Sequence, residues 1–204
     1  MNFIFISPQF PKHYWNFCDR LKKNGVNVLG IGDSPYDALS DELKNALTEY
    51  YYLPHLDDYG EMVKAVGFFT FKYGKIDWIE SNNEFWLAQD ARLRTDFHVT
   101  TGEQYDHIDR IKNKSAMKAY YAKAGVPTAR LHKVTSFEAG RDFAHMVGYP
   151  VIVKPDNGVG ACDTYKLHND DELAYFYATK PQDVPYVMEE FINGQIFSYD
   201  AILD

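Results

Sequence analysis

Short apolar runs alternate with amphipathic stretches in the first part of the chain. Continuous apolar runs that end at Ser, Pro, Gly or Asp are typical of strands in a parallel sheet, which are buried on both faces. Apolar residues at helical spacing predict helices between these runs. The predicted strands are residues 3–6, 26–31, 50–53 and 76–80, and the predicted helices begin at Pro11 and cover 57–73 and 83–96. This alternation indicates βαβ units, so residues 1–102 are predicted to form a small doubly wound α/β domain with a parallel sheet.

The pattern changes after Gly102, where strands follow one another with loops or single helices between them. The predicted helices are 108–124, a helix from Ser136 to Gly148, and 170–179. The predicted strands are 129–134, 151–154, 164–167, 185–191 and 195–203. A strand–loop–strand order favours an antiparallel α+β domain, predicted over residues 103–204.

Composition narrows the classes of protein. The chain has 204 residues and a formal net charge of −8, which argues against nonspecific binding to nucleic acid. Cys18 and Cys162 match no metal or redox spacing. Neither a membrane-spanning run nor a signal peptide is recognisable, so a cytoplasmic protein with no membrane partner is expected. The turn after the first strand, from Ser7 to Pro11, has two prolines and no glycine, which argues against NAD or FAD binding there.

Four segments in the second part carry candidate chemistry, and each also has an ordinary structural explanation. Lys114 is either a solvated helix lysine or a charge for a phosphate oxygen. Lys154 ends an all-apolar strand, where a lysine either reaches water at the sheet rim or meets a ligand. The small residues of 156–161 form a hairpin connection, or they let backbone N–H groups approach a phosphate. Residues 187–194 form a half-buried strand and turn, or their backbone reads an adenine edge.

In this order the four segments resemble the ATP-grasp superfamily over about residues 105–200. The resemblance rests on Lys114 with AGVPT at 124–128, GYPVIVKP at 148–155, the glycine loop, and MEEFI at 188–192 followed by Gly194. Residues 1–102 resemble the α/β domain that precedes ATP-grasp in carboxylate–amine ligases of the carbamoyl-phosphate synthetase and biotin carboxylase type. The resemblance therefore implies a pre-ATP-grasp domain at 1–102 and the N-terminal part of an ATP-grasp domain at 103–204.

The resemblance also implies roles for individual residues. Lys114 and Lys154 would bind ATP phosphates, and Ile152 would line the adenine pocket. The backbone of Glu190, Phe191 and Ile192 would read the adenine edge, with the Glu189 side chain nearby. A flexible flap over the triphosphate would consist of Asn157, Gly158, Val159, Gly160 and Ala161.

The implied reaction uses ATP and Mg²⁺. A small-molecule carboxylate would attack the γ-phosphate to give an acylphosphate, which an amine or another nucleophile would then attack. The alternative from another class is a nucleotide-binding or scaffold module without catalysis.

Two departures from the family pattern change these expectations. Ile196 stands where members of the family usually carry a Glu that binds the ribose. The chain also ends at Asp204, before the family's acidic Mg²⁺ ligands and its catalytic Asn and Arg. Metal ligands and catalytic residues are therefore expected beyond Asp204, and the chain alone is expected to be inactive and to bind ATP weakly. An apolar face formed by Phe191, Phe197 and Tyr199 would favour a homodimer.

Overall fold

The computed structural model describes residues 1–159 and 162–199. The chain divides into two compact units, Met1–Lys112 and a second unit that begins at Asn113. The boundary proposed from the sequence lies earlier, at residue 102, and the assignment of the two parts as domains stays a prediction.

The first unit contains a parallel four-stranded sheet in the order β3-β2-β1-β4. Its elements are β1 (Asn2–Ile6), α1 (Trp15–Lys23), β2 (Asn27–Gly32), α2 (Asp41–Ala46), β3 (Glu49–Tyr52), α3 (Tyr59–Tyr73), β4 (Trp78–Glu80), α4 (Leu87–Asp96) and α5 (Asp109–Lys112), with 3₁₀ turns at Tyr36–Ala38 and Tyr105–His107. Strand β1 lies in the centre, with Ile4 opposite Leu29 of β2 and Ile79 of β4. Ile4 packs in a core with α3 residues, whereas Phe5 packs on the other face with Cys18 of α1. The predicted parallel sheet, with helices on both faces, is confirmed.

Helix α2 was not predicted, because its segment is mostly polar. Ser40 caps this helix by accepting a hydrogen bond from the Leu43 N–H, and Leu43 and Ala46 are its buried residues. Two buried side chains in six residues were too few to produce a recognisable helical pattern.

Helix α4 begins at Leu87, later than predicted. The Ser81 N–H and hydroxyl donate to Asp90 Oδ2 at 3.0 and 2.6 Å, and these bonds hold the preceding residues in a loop. Burial raises the pKa of Asp90 above its usual value, against the opposing hydrogen bond from Ser81.

The second unit contains a four-stranded antiparallel sheet in the order β5-β8-β6-β7. Its elements are α6 (Lys114–Lys123), β5 (Leu131–Lys133), α7 (Phe137–Val147), β6 (Val151–Pro155), β7 (Tyr165–Leu167), α8 (Asp170–Thr179) and β8 (Tyr186–Glu190). The change from a parallel to an antiparallel sheet between the two parts of the chain is confirmed. Nowhere in the described ranges is a helix both long and apolar enough to cross a membrane.

Two predictions for the second part were wrong. The helix expected over 108–124 is two helices, because the backbone of Asn113 is extended (φ −95°, ψ 122°) between α5 and α6. The strand expected over 195–203 does not form in residues 195–199, and the rest of it lies outside the described residues. Ile196, Phe197 and Tyr199 are all largely exposed. The apolar side chains that suggested a buried strand there are therefore not buried.

Candidate functional site

The sheet of the second unit has one apolar face and one charged face. Directly opposed residues of an antiparallel pair project to the same side of a sheet. On one side, Val153 and Met188 are opposed and pack with residues of α7 and α8. On the other side, Ile152 is opposite Glu189, and Lys154 is opposite Val187. The pairing register assigns the following residues to this charged face: Leu131, Lys133, Ile152, Lys154, Lys166, Val187 and Glu189.

The carboxylate of Glu189 lies between two lysines at the centre of the charged face. Its Oε2 is 2.6 Å from Lys154 Nζ, and its Oε1 is 2.8 Å from Lys118 Nζ. Only 10% of the Glu189 side chain is exposed. Burial alone would raise the pKa of Glu189, but hydrogen bonds from both lysines and their charges outweigh burial and hold it below its usual value. Glu189 is therefore ionised at neutral pH.

Lys114 contacts the loop after β6 instead of Glu189. Its Nζ donates to the Gly158 carbonyl at 2.8 Å, and its backbone N–H donates to the Asp156 carbonyl at 3.0 Å. The carboxylate of Asp156 accepts hydrogen bonds from the Ser115 N–H and hydroxyl at 2.8 and 2.6 Å. Asp156 thus caps α6 from a distant part of the chain, since Asn113 makes no side-chain cap bond there.

Glu190 projects to the opposite side of the sheet from Glu189, as expected for the next residue of a strand. Its carboxylate accepts hydrogen bonds from the Arg130 N–H at 2.8 Å and from Arg130 Nε at 2.6 Å. The Glu190 N–H in turn donates to the Arg130 carbonyl at 3.2 Å. Beyond the strand, Ile192 is exposed, and Lys166 Nζ lies 3.9 Å from the centre of the Phe191 ring.

Comparison with known proteins identifies the family that this segment resembles. Residues 109–195 match the family model described as the carbamoyl-phosphate synthase L chain, ATP binding domain. The resemblance to the ATP-grasp ligases is confirmed. The matched residues include the whole charged face and helix α6.

Two individual proteins of similar sequence are ligases or synthases that are consistent with this family model. The L-arginine-specific L-amino acid ligase of Bacillus subtilis is 27% identical over 193 residues, covering 90% of this chain and 45% of that protein. The carbamoyl phosphate synthase large chain of Agathobacter rectalis is 28% identical over 106 residues, covering 50% of this chain and 10% of that protein. The chain thus spans less than half the length of either relative.

A solved structure has the same fold. The biotin carboxylase domain of the 2-oxoglutarate carboxylase of Hydrogenobacter thermophilus, solved with MgADP and bicarbonate, superimposes with a TM-score of 0.73 at 20% identity. The match covers 93% of this chain and 44% of that chain.

The residues expected at an ATP-grasp site fall into three groups in the structure. Ile152, Lys154 and Glu189 lie together on the charged face. Lys114 lies with Asn157, Gly158 and Val159 at the start of the glycine loop, and Gly160 and Ala161 lie outside the described residues. Glu190 is the last residue of β8, and Phe191 and Ile192 follow it. The roles assigned to these residues stay predictions.

Three residues of the site were missed by the sequence reasoning: Ser115, Lys118 and Arg130. Asp156 was included only as the first residue of the glycine-containing segment, and its contact with Ser115 was not foreseen. A signal was present for Lys118, because it follows Lys114 by one helical turn and so shares a face of α6 with it. The contacts of Asp156 and Arg130 are made with residues far away in the sequence, so no local pattern marks them.

A metal centre does not form among the side chains that the structure describes. Within that part of the chain, no group of three His, Cys, Asp or Glu residues could hold a metal ion. The carboxylates of the site are instead engaged by lysine, arginine or the α6 N-terminus.

Replacing Asp156 with alanine is expected to lower the free energy of unfolding of the second unit by about 1–2 kcal/mol, the range for loss of a helix cap. The change leaves the Ser115 N–H without its acceptor at 2.8 Å. Thermal or urea unfolding measures the effect. Ser115→Ala is the matched control, because it removes only the hydroxyl bond and should cost less. Equal losses in the two variants would show that the bond from the Ser115 N–H to the Asp156 carboxylate adds nothing to the stability of α6.

Proposed function

We propose that this chain is the ATP-binding part of an ATP-dependent carboxylate–amine ligase. The observation that carries the proposal is the charged face, where Ile152 and Val187 share a side of the sheet with Lys154 and Glu189, and Lys118 and Lys154 meet at the Glu189 carboxylate. All of these residues lie within the segment that matches the ATP-binding domain. An apolar floor suits a planar base, and neighbouring ammonium groups suit a triphosphate. The site residues therefore fit ATP.

The proposed roles are those that the family resemblance implies. Ile152 contacts the adenine ring, and the Glu190 carbonyl and the Ile192 N–H bind its edge, with Phe191 between them. Lys114 and Lys154 donate to phosphate oxygens, and the loop that begins at Asn157 closes over the triphosphate and excludes water. Lys114 would exchange its bond to the Gly158 carbonyl for a phosphate, which links nucleotide binding to the position of this loop.

Bound ATP would supply the γ-phosphoryl group: a substrate carboxylate would attack the γ-phosphorus to give an acylphosphate and ADP, and an amine would then attack the acyl carbon to give an amide and release phosphate. The chain's own residues bind and orient the nucleotide, and positioning dominates phosphoryl-transfer catalysis.

We expect the Mg²⁺ ligands and the catalytic Asn and Arg outside the described residues. Ile196 is 95% exposed and has no carboxylate, so the ribose contact of the family is either lost or made by another group. We propose that residues 1–102 are the pre-ATP-grasp domain of a cytoplasmic ligase.

The second candidate is a nucleotide-binding or scaffold module without catalysis. It is favoured by Ile196, which stands where members of the family usually carry a Glu that binds the ribose. The two candidates share the nucleotide site and differ in turnover.

Titration calorimetry with Mg-ATP tests the shared site on this chain. Binding weaker than micromolar is expected, with adenosine binding more weakly still, because the phosphates contribute through Lys114 and Lys154. A complete lack of binding at millimolar ATP would refute both candidates. Turnover of ATP in the presence of carboxylates and amines, measured on the full-length natural protein, separates ligase from binding module.

A further inference from the structure

The contact between Lys118 and Glu189 carries an inference that rests on the proposed function. We propose that Lys118 is a positioning residue that keeps the charge of Lys154 available to the phosphates of the nucleotide. Lys118 lies on α6, one turn after Lys114, and reaches Glu189 Oε1 at 2.8 Å. Its Nζ also donates to the Ala129 carbonyl, which fixes the ammonium group in place.

Burial strengthens the electrostatic interactions among Lys118, Lys154 and Glu189. The side chains of Lys118, Lys154 and Glu189 are 18%, 25% and 10% exposed, so water screens the three charges only in part. Each carboxylate oxygen of Glu189 contacts a different lysine: Oε1 contacts Lys118, and Oε2 contacts Lys154 at 2.6 Å. The group is a carboxylate shared by two cations, with one net positive charge.

The sharing determines how firmly Lys154 is held. With Lys118 present, Glu189 neutralises only part of the charge on Lys154, and a phosphate oxygen can bind the remainder. Without Lys118, Glu189 and Lys154 form a one-to-one ion pair with no net charge. A phosphate would then have to compete with a buried carboxylate for the same ammonium group.

A purely structural role for Lys118, tying α6 to β8, makes a different prediction. Loss of that tie would weaken every ligand of the site alike, and removal of the Glu189 charge would not restore binding. Loss of charge sharing weakens only phosphate-bearing ligands. Removal of the Glu189 charge then restores the net charge of the group and frees Lys154.

The test measures the affinities for ATP, inorganic tripolyphosphate and adenosine by calorimetry. We expect Lys118→Met to weaken ATP and tripolyphosphate about tenfold, in the range of one charge-assisted hydrogen bond, with no change for adenosine. Lys118→Arg should retain binding, and Lys118→Met/Glu189→Gln should bring tripolyphosphate affinity back to within about threefold of the starting protein. The control is Lys123→Met, an exposed lysine in the last turn of the same helix, which should change nothing.

The outcomes separate this inference from the proposed function. If the unaltered chain binds neither ATP nor tripolyphosphate, both are overturned. If Lys154→Met loses affinity while Lys118→Met does not, only the role of Lys118 is overturned. The role is also overturned if the double variant binds tripolyphosphate as weakly as Lys118→Met, or if adenosine weakens in parallel.

Discussion

Lys154→Met is expected to weaken Mg-ATP binding about 30-fold or more, as the loss of a charge-assisted bond to phosphate requires. Methionine keeps an unbranched side chain of similar reach on the face shared with Val187, so the packing of β6 is retained. Calorimetry with ATP, ADP and adenosine measures the effect. The loss should fall in that order, because it depends on the number of phosphates that the missing ammonium group would have contacted.

The variant should remain folded. Glu189 keeps its bond to Lys118 at 2.8 Å, so no buried carboxylate is left unpaired. The matched control is Lys180→Met, at the end of α8, a helix that packs against the opposite face of the sheet. We expect that variant to bind ATP normally. An ATP affinity unchanged in Lys154→Met, with the fold intact, would remove Lys154 from the phosphate site.

Much of the fold could be predicted because its strands are short apolar runs. Phe3 to Ile6 are buried on both faces of the parallel sheet, so the run is continuous and easy to recognise. In the antiparallel sheet, Val151 and Val153 face the helices while Ile152 and Lys154 face the site, yet the pattern still shows an apolar run ended by one lysine. The elements that were missed or misplaced depend on a few side-chain bonds, such as Ser81 with Asp90 and Asp156 with Ser115.

Residues of the site could be predicted only where their order and spacing along the chain match those of a known family. Lys114, Lys154 and Glu189 were chosen because they occur in a fixed order, and the family resemblance that they indicated is confirmed. The structure adds which groups touch. The contact between Lys154 and Glu189 joins residues on two neighbouring strands and is set by the pairing register of β6 and β8. Neither the register nor the approach of Lys118 from α6 can be read from spacing alone, which is why the third lysine was missed.

Gly140→Ala is expected to destabilise the second unit by about 1–3 kcal/mol, the usual cost of overpacking a core. A Cβ at residue 140 would lie 2.2 Å from the hydroxyl oxygen of Tyr177 and 2.9 Å from its Cζ. The Tyr177 ring contacts Phe137 and Phe176 edge-on, so it has little room to move away. Alanine favours a helix over glycine by about 1 kcal/mol, so the sign of the change depends on this contact.

Gly67→Ala is the control that shows how a Gly-to-Ala change alters the free energy of unfolding when the new methyl group has no close neighbour. Gly67 lies inside α3, and a Cβ there would meet no atom within 4 Å. That variant should therefore stabilise the first unit by about 0.5–1 kcal/mol through helix propensity alone. Scanning calorimetry of both variants gives the comparison, and adding Tyr177→Phe to Gly140→Ala should recover part of the loss by removing the nearest atom. If Gly140→Ala raised the free energy of unfolding as Gly67→Ala does, the close packing of α7 against α8 at Tyr177 would be refuted.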